Sequence, residues 1–155
     1  ISVSLKKSRP MWQVTASDLS ADALVLAKDN AKLNRVDISF VLADVFENVS
    51  GCFDIIVSNP PYISENDKDE VGLNVLTSEP KMALFADEDG LAIYRQILED
   101  ADKYLNSQGK LYFEIGYKQG EDLRKLLSLH FPDKHVRILK DQFGQDRMVV
   151  MDDGK

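Results

Sequence analysis

Residues Asn59, Pro60, Pro61 and Tyr62 are of types that could together bind a planar amine. They follow the apolar segment at 53–58. Because proline has no N–H, this backbone offers carbonyl acceptors only, and the two rings hold it in a rigid extended shape. The Asn59 side chain adds another acceptor, and Tyr62 adds a flat aromatic face. A rigid wall of acceptors is complementary to an –NH₂ group on a planar carbonyl or ring.

The chemistry that such a wall supports is attack by a weakly nucleophilic nitrogen. Its lone pair is delocalised, so hydrogen bonds to Asn59 Oδ1 and the Pro60 carbonyl would aim it at an electrophile and stabilise its developing charge. The alternative is a rigid turn that merely ends a core strand. The apolar strand before the loop favours the functional interpretation, so Asn59 and Pro60 are our predicted catalytic residues.

Two acidic residues end two other predicted strands. Asp18 follows residues 12–17, and Asp44 follows residues 38–42. In open α/β sheets, ligands bind beyond the carboxyl ends of strands. The Asp18 carboxylate could accept from both hydroxyls of a ribose, or it could cap the next helix. Asp44 could approach an adenine amino group, or it could simply face water.

Strand and helix patterns alternate along the chain and indicate an α/β fold with right-handed parallel crossovers. The helix predicted at 21–33 begins after the N-cap Ser20. Its predicted buried stripe consists of Leu24, Ala27, Ala31 and Leu33. The predicted strands are 12–17, 38–42, 53–58, 110–116, "HVRILK" and "RMVVM", and the other helices are 90–105 and 120–131.

The connections carry further expectations. The long polar segment 62–89 is interpreted as a functional loop with a short helix. Gly90 is predicted to open the next helix, and the "SQG" at 107–109 to end it. The last two strands flank the turn region "DQFGQD" and are predicted to form an antiparallel hairpin at the edge of the sheet.

Composition narrows the function classes. The net charge of −7 argues against a duplex nucleic-acid partner, since phosphate binding favours basic surfaces. No apolar run approaches the length of a membrane helix. Cys52 is the single cysteine, which excludes an internal disulfide and favours the cytoplasm. His130 and His135 lack the spacing of metal ligands, so we predict no metal.

Several segments together resemble the release factor glutamine N5-methyltransferases, the PrmC/HemK family. The segments are "SNPPYI", "VTASDLSADALVLAKDNA", "SEPKMALFADEDGLAIYRQIL", "GKLYFEIGYKQGEDL" and "KDQFGQDRMVV". The resemblance covers nearly the whole chain. It implies a Rossmann-like class I methyltransferase fold, a mostly parallel sheet with a C-terminal antiparallel hairpin. It also implies S-adenosylmethionine as cofactor and methyl transfer to a glutamine amide in peptide chain release factors.

The resemblance also implies roles for individual residues. Those that would bind the target glutamine are Asn59, Pro60, Pro61, Tyr62 and Glu79, the last shaping the mouth of the site. Those that would contact S-adenosylmethionine are Asp18 at the ribose, Asp44 and Val45 along the adenine, and Asn59 near the methyl group. Val45 stands where some relatives have an aromatic residue, and Ser78 where the family often has Tyr. These departures suggest weaker stacking on the adenine and a different substrate loop.

The family's glycine-rich loop, of the D-x-G-x-G-x-G kind, does not occur in this sequence, which begins at Ile1 with "ISVSLKK". The resemblance places that loop just before Ile1. We therefore expect residues 1–155 to be one catalytic domain truncated at its first strand, with 1–7 the remnant of a helix. Such a chain is expected to be inactive alone, and its open sheet edges favour dimerisation or domain swapping.

Two alternatives stay open. A nucleic-acid adenine or cytosine N-methyltransferase would use the same loop for its conjugated amine, although the acidic charge and the "EP…DGL" segment argue against it. A non-catalytic methyltransferase-like module that only binds a partner would explain the missing glycine-rich loop. Release factors are the expected protein partners, with no membrane and no direct nucleic-acid contact.

Overall fold

The computed structural model describes residues 1–64 and 80–154, apart from the Glu88 side chain. The chain divides into two compact units, an N-terminal unit (Ile1–Gly51) and a C-terminal unit (Cys52–Lys155). The single domain expected over 1–155 stays a prediction. Within the two described ranges, no helix is long and apolar enough to span a bilayer.

The N-terminal unit is a small α/β layer. Its helices are α1 (Ser2–Ser8) and α2 (Ala21–Asn34), and its strands are β1 (Thr15–Asp18) and β2 (Ser39–Leu42). The two strands are parallel, with Thr15 opposite Ser39 and Asp18 opposite Leu42. Residues 2–8 are helical, as predicted. Parallel pairing brings the carboxyl ends of β1 and β2 to the same edge.

Helix α2 begins where the sequence predicts. The Ser20 hydroxyl accepts a hydrogen bond from the Ala23 N–H at 3.2 Å, and Ser20 has an extended backbone. Of the predicted stripe, Leu24 and Ala31 are buried, but Leu33 is 81% exposed, so that part of the prediction is wrong. Two residues after Ala31, a side chain has turned by about 200° around the helix, onto the opposite face.

The C-terminal unit contains the other elements of the described residues. They are β3 (Phe53–Ser58), a 3-10 turn (Lys81–Ala83), α3 (Asp87–Gly90), α4 (Ala92–Tyr104), β4 (Leu105–Glu114), α5 (Gly120–His130), β5 (His135–Lys140) and β6 (Asp146–Asp152). The four strands form one sheet in the order β3-β4-β6-β5. β3 and β4 are parallel, whereas β6 is antiparallel to both of its neighbours. The C-terminal antiparallel hairpin is therefore confirmed.

Several boundaries differ from the prediction; β1, for example, begins at Thr15 rather than at residue 12. Gly90 lies at the end of α3 with a φ of +80°, and the long helix begins only at Ala92. The segment at 107–109 belongs to β4, which starts directly after α4. Between the pairs Phe53–Leu105 and Ile55–Lys110 the register shifts, so β4 bulges there. A glycine inside a strand marks such a bulge, so the prediction that residues 107–109 end the helix is wrong.

The core of the C-terminal unit lies between the sheet and helices α4 and α5. The largest fully buried side chains of the described residues are Tyr94, Leu98, Leu111, Phe113, Ile115, Leu123, Leu127, Val149, Val150 and Met151. Helix α4 contributes the first two, α5 contributes Leu123 and Leu127, and the remainder belong to β4, β6 or the residue after β4. This core supports the carboxyl ends of β3 and β4.

Candidate functional site

The loop Asn59–Tyr62 begins directly after β3, as the sequence predicts. Asn59 is exposed, Pro60 is buried, and Pro61 and Tyr62 are half-buried. Within the described ranges, the Asn59 side chain makes no hydrogen bond. Its amide oxygen is therefore available to a ligand, while the prolines behind it fix the path of the backbone.

The chain after the loop is held by strand-like hydrogen bonds. The Ile63 N–H donates to the Leu84 carbonyl at 3.0 Å, and the Ala86 N–H donates to the Ile63 carbonyl at 3.0 Å. Ile63 and Phe85 form an isolated parallel bridge. The segment at 84–86 thus anchors the end of the loop, which restricts the positions that Tyr62 can adopt.

A buried side chain that sequence reasoning missed supports the same loop. Gln119 precedes helix α5 and donates from Nε2 to the Tyr62 carbonyl at 2.9 Å. The sequence gives little indication of this role, because a polar residue next to glycine is typical of an ordinary turn. The one available signal is its position in the segment "GYKQGEDL". The contact makes Gln119 part of the candidate site.

Tyr94 fixes the end of the neighbouring strand β4. Its hydroxyl donates to the Glu114 carbonyl at 2.5 Å, and its ring meets the Phe113 ring edge to face, with centroids 5.4 Å apart. Burial raises the pKa of the Tyr94 phenol above its ordinary range, and the nearby Tyr62 and Glu114 raise it further. Tyr94 is therefore a neutral hydrogen-bond donor rather than a base.

In the N-terminal unit, Asp18 is exposed at the end of β1. Its Oδ1 accepts from the Ser20 N–H at 2.8 Å, and its carbonyl accepts from the Ala43 N–H at 3.1 Å. The first bond orients the carboxylate, whose remaining lone pairs can accept from vicinal hydroxyls. The helix-capping alternative applies to Ser20 instead, because the Ser20 hydroxyl is the group that caps α2.

Asp44 and Val45 follow β2 at the same edge. Asp44 is exposed, and its carbonyl accepts from the Glu47 N–H at 2.9 Å. Val45 is half-buried and has a φ of +50°, and Asn48 has a φ of +58°. A positive φ is strained for a β-branched residue such as valine, and strain of this kind clusters at ligand sites. The sequence gives no sign of this strained backbone.

The predicted site residues thus form two groups. Asp18, Asp44 and Val45 lie at one strand edge of the N-terminal unit, and residues 59–62 lie together after β3 in the C-terminal unit. Glu79 and Ser78 are outside the described residues. Across the described part of the chain there is no cluster of three or more His, Cys, Asp or Glu residues that could hold a metal ion.

The N-terminal group fits the nucleoside part of S-adenosylmethionine, because its carboxylates are hydrogen-bond acceptors. A strand-end carboxylate can accept from the ribose hydroxyls. Asp44 and the strained turn at Val45 lie beyond the adjacent strand, where an adenine would follow the ribose. The residues present therefore suit the nucleoside, and the described residues contain no glycine-rich loop for the methionine end.

Comparisons with known proteins agree on one fold and one kind of enzyme. The chain is 60% identical over all of its length to the release factor glutamine methyltransferase of Streptococcus pneumoniae, covering 56% of that protein. It is 46% identical over 96% of its length to the release factor glutamine methyltransferase of Lactococcus lactis, and it covers 55% of that protein. The chain thus spans about half the length of these curated relatives. The predicted resemblance to this group of proteins is confirmed.

A solved methyltransferase from Pyrococcus furiosus has a TM-score of 0.66 at 19% identity, over 97% of this chain and 68% of that one. The predicted fold class, Rossmann-like and of the class I S-adenosylmethionine-dependent methyltransferases, is confirmed. The methyltransferase small domain family matches residues 1–87. This match covers more than half of the 155 residues, so the chain belongs to the methyltransferase small domain family.

Proposed function

We propose that this chain carries the catalytic part of a protein-glutamine N5-methyltransferase that modifies peptide chain release factors. The observation that carries the proposal is the loop Asn59–Tyr62, with an asparagine amide that no described residue hydrogen-bonds and an anchored acceptor backbone. The curated relatives support the substrate class, since they are named for glutamine in release factors. A hydroxyl group that accepted the methyl group would have no –NH₂ to hold, so it would not need two hydrogen-bond acceptors.

The loop residues would bind and orient the glutamine side chain. Asn59 Oδ1 and the Pro60 carbonyl each accept a hydrogen bond from one N–H of the –NH₂ group, and Tyr62 packs on the plane of the amide. Holding both N–H bonds directs the nitrogen lone pair and stabilises the positive charge that develops on nitrogen. The nitrogen can lose its extra proton to water afterwards, so this scheme does not require a general base.

S-adenosylmethionine, when bound, supplies the electrophilic methyl group. Asp18 would hold its ribose hydroxyls, and Asp44 and Val45 would lie along its adenine. Val45 cannot stack as an aromatic side chain would, so its contact is through apolar packing or its backbone N–H. Glu79 belongs to this proposal as a residue of the substrate mouth, on the resemblance alone.

The competing enzyme class is a nucleic-acid N-methyltransferase, and no specific observation on the described residues favours it. The net charge of −7 would repel a phosphate backbone. Release factors are proteins of the cytoplasm, which we propose as the compartment of this chain. A dimer or a domain-swapped form of the isolated chain also remains part of the proposal.

The test is methyl transfer by the natural gene product that carries this sequence. The purified protein is incubated with a bacterial release factor and isotope-labelled S-adenosylmethionine, and the label is located by peptide mass spectrometry. We expect one labelled methyl group on a glutamine side chain. Label on DNA or RNA instead, or no label on any release factor, would overturn the proposal. The 155-residue chain alone is a second sample, in which we expect no transfer.

Two variants assign the roles within that assay. Asn59→Ala should lower the transfer rate about 100-fold or more, the effect of removing one preorganised partner of a developing charge. Asn30→Ala, an exposed position on α2, is the matched control and should keep the wild-type rate. Asp18→Asn should weaken S-adenosylmethionine binding by calorimetry about tenfold, because it loses a charged acceptor. Asp29→Asn, exposed on α2, is its control.

A further inference from the structure

Gln119 joins three separate backbone segments through one buried amide. The residue is only 9% exposed. Its Nε2 donates to the Tyr62 carbonyl at 2.9 Å and to the Asp89 carbonyl at 3.1 Å. Its Oε1 accepts from the Gly116 N–H at 3.0 Å. The loop after β3, the end of α3 and the turn after β4 therefore meet at this side chain.

The pattern of partners determines which way the amide points. Both hydrogens of Nε2 face carbonyl oxygens, and Oε1 faces an N–H, so a flipped amide would meet each partner with the wrong group. The Gln119 N–H also donates to the Gly116 carbonyl at 3.0 Å, which closes a small ring at the start of α5. A buried amide with three satisfied bonds is a rigid connector.

Gly90 shows how tightly the segments approach one another. Its φ is +80°, and a Cβ at this position would lie 2.1 Å from the Tyr62 carbonyl oxygen and 2.5 Å from Gln119 Nε2. No side chain can occupy that space without displacing the backbone. The junction of Tyr62, Gly90 and Gln119 is thus too closely packed to admit a side chain at residue 90.

The loop needs a partner of this kind. Pro60 and Pro61 have no N–H, so the backbone between β3 and Tyr62 has few donors with which to secure itself. Its carbonyls are therefore its main points of attachment, and the Tyr62 carbonyl is held by Gln119. Fixing that peptide group limits the backbone torsions of Tyr62, through which the loop continues into the bridge at Ile63.

We propose that Gln119 is a positioning residue that fixes the Tyr62 peptide and thereby the orientation of the amine-binding loop. Its effect on catalysis rests on the proposed function, whereas its effect on the loop does not. A displaced loop would still let S-adenosylmethionine bind at Asp18, but it would misalign the glutamine nitrogen. The expected signature is a lower kcat with an unchanged cofactor affinity.

The kinetic test uses Gln119→Glu and Gln119→Leu in the natural gene product. Glutamate keeps one acceptor for Gly116 but offers no donor to the two carbonyls, and leucine removes all three bonds. We expect kcat for methyl transfer to fall about 10–100-fold in both variants, as misplaced reacting groups cause. Gln145→Glu, the same change at an exposed position in the β5–β6 turn, should leave kcat unchanged. Rates are corrected for the folded fraction at the assay temperature.

A second pair of variants tests the junction without altering the amide. Gly90→Ala places a methyl group against Tyr62 and Gln119, and Gly144→Ala places one in open space at nearly the same φ, +78°. Because the two φ angles are nearly equal, the strain of a left-handed alanine is similar in both variants, and a difference in kcat reports the contact. We expect the loss of kcat in Gly90→Ala only. Equal rates in the two would overturn the proposal.

Amide exchange separates this inference from the proposed function. In the wild-type protein, the Gly116 N–H and the Gln119 side-chain NH₂ should exchange slowly by NMR, and Gln119→Leu should abolish the Gly116 protection. If the wild type methylates no release factor while this result holds, only the proposed function falls. Wild-type kcat in both Gln119 variants, or a fall explained by the folded fraction, would overturn the positioning role.

Discussion

The two units differ in how completely their apolar side chains are buried. Among the described residues of the C-terminal unit, ten large side chains have almost no exposed surface. In the N-terminal unit the buried apolar residues are Leu24, Ala31, Ile38 and Ala43, and larger ones such as Leu26 and Leu33 are 64% and 81% exposed. A two-stranded sheet is marginal on its own, whereas four strands packed on helices are not. The amine-binding loop therefore rests on the stable part, and the cofactor residues rest on the weaker part.

The strongest test of this contrast is a cavity in the core of the C-terminal unit. Leu127→Ala should lower the free energy of unfolding by about 2–5 kcal/mol, because Leu127 is fully buried. Leu33→Ala removes the same atoms from an 81% exposed position and should cost less than about 0.5 kcal/mol. Urea unfolding followed by circular dichroism measures both. Similar losses would mean that the two units do not differ in this way.

A second test removes a single hydroxyl from that core. Tyr94→Phe takes away the donor to the Glu114 carbonyl and should lower stability by about 1–3 kcal/mol, because a buried acceptor loses its partner. Tyr112→Phe, at a half-buried position on β4, serves as the control and should lower stability less. If the two variants unfold at the same urea concentration, the Tyr94 bond does not stabilise β4.

In the N-terminal unit, a substitution that relieves backbone strain should raise stability rather than lower it. Val45→Asn should raise stability by up to about 1 kcal/mol, because asparagine tolerates the left-handed backbone better than valine. The reverse exchange in the same loop, Asn48→Val, should lower stability by a similar amount, since Asn48 also has a positive φ. Thermal unfolding of both variants is the measurement. A loss of stability in Val45→Asn would show that its side-chain packing outweighs the strain.

The smallest effect is expected in acid. A hydrogen bond from the Gly154 N–H, assisted by the Arg137 ion pair, holds the pKa of Asp152 below its ordinary value of 3.8. The stabilisation is therefore complete above that ordinary value and is lost as pH falls through the lower folded-state pKa. Asp152→Asn should flatten this part of the stability curve. Arg137→Gln should flatten it only in part, because the Gly154 bond remains.

Local signals explain what could be predicted from the sequence. The apolar run of β3, the Ser20 cap and the two strands around "DQFGQD" each depend on neighbouring residues, and each lies where it was expected. The same holds for the prolines after β3. The roles assigned to Asn59 and Asp18 stay predictions, because a ligand rather than a neighbour would test them.

The features that escaped prediction depend on distant contacts. Gln119 meets Tyr62 across 57 positions of the chain, and a turn residue gives no sign of such a partner. Gly109 resembles a helix end, yet a Cβ there would lie 2.7 Å from the Leu105 side chain, within a bulge. The left-handed backbone of Val45 contradicts the local preference of valine. In each case the packing of the folded chain overrides the local preference.

The position of β6 has a consequence for biosynthesis. This strand follows β5 in the sequence, yet it lies between β4 and β5 and hydrogen-bonds to both. While the chain is being translated, β4 therefore presents an unpaired edge until residues 146–152 have left the ribosome. An exposed edge of this kind recruits strands from other molecules. A ribosome that stalls before this strand would release a chain prone to aggregation, whatever the state of the loop at residues 59–62.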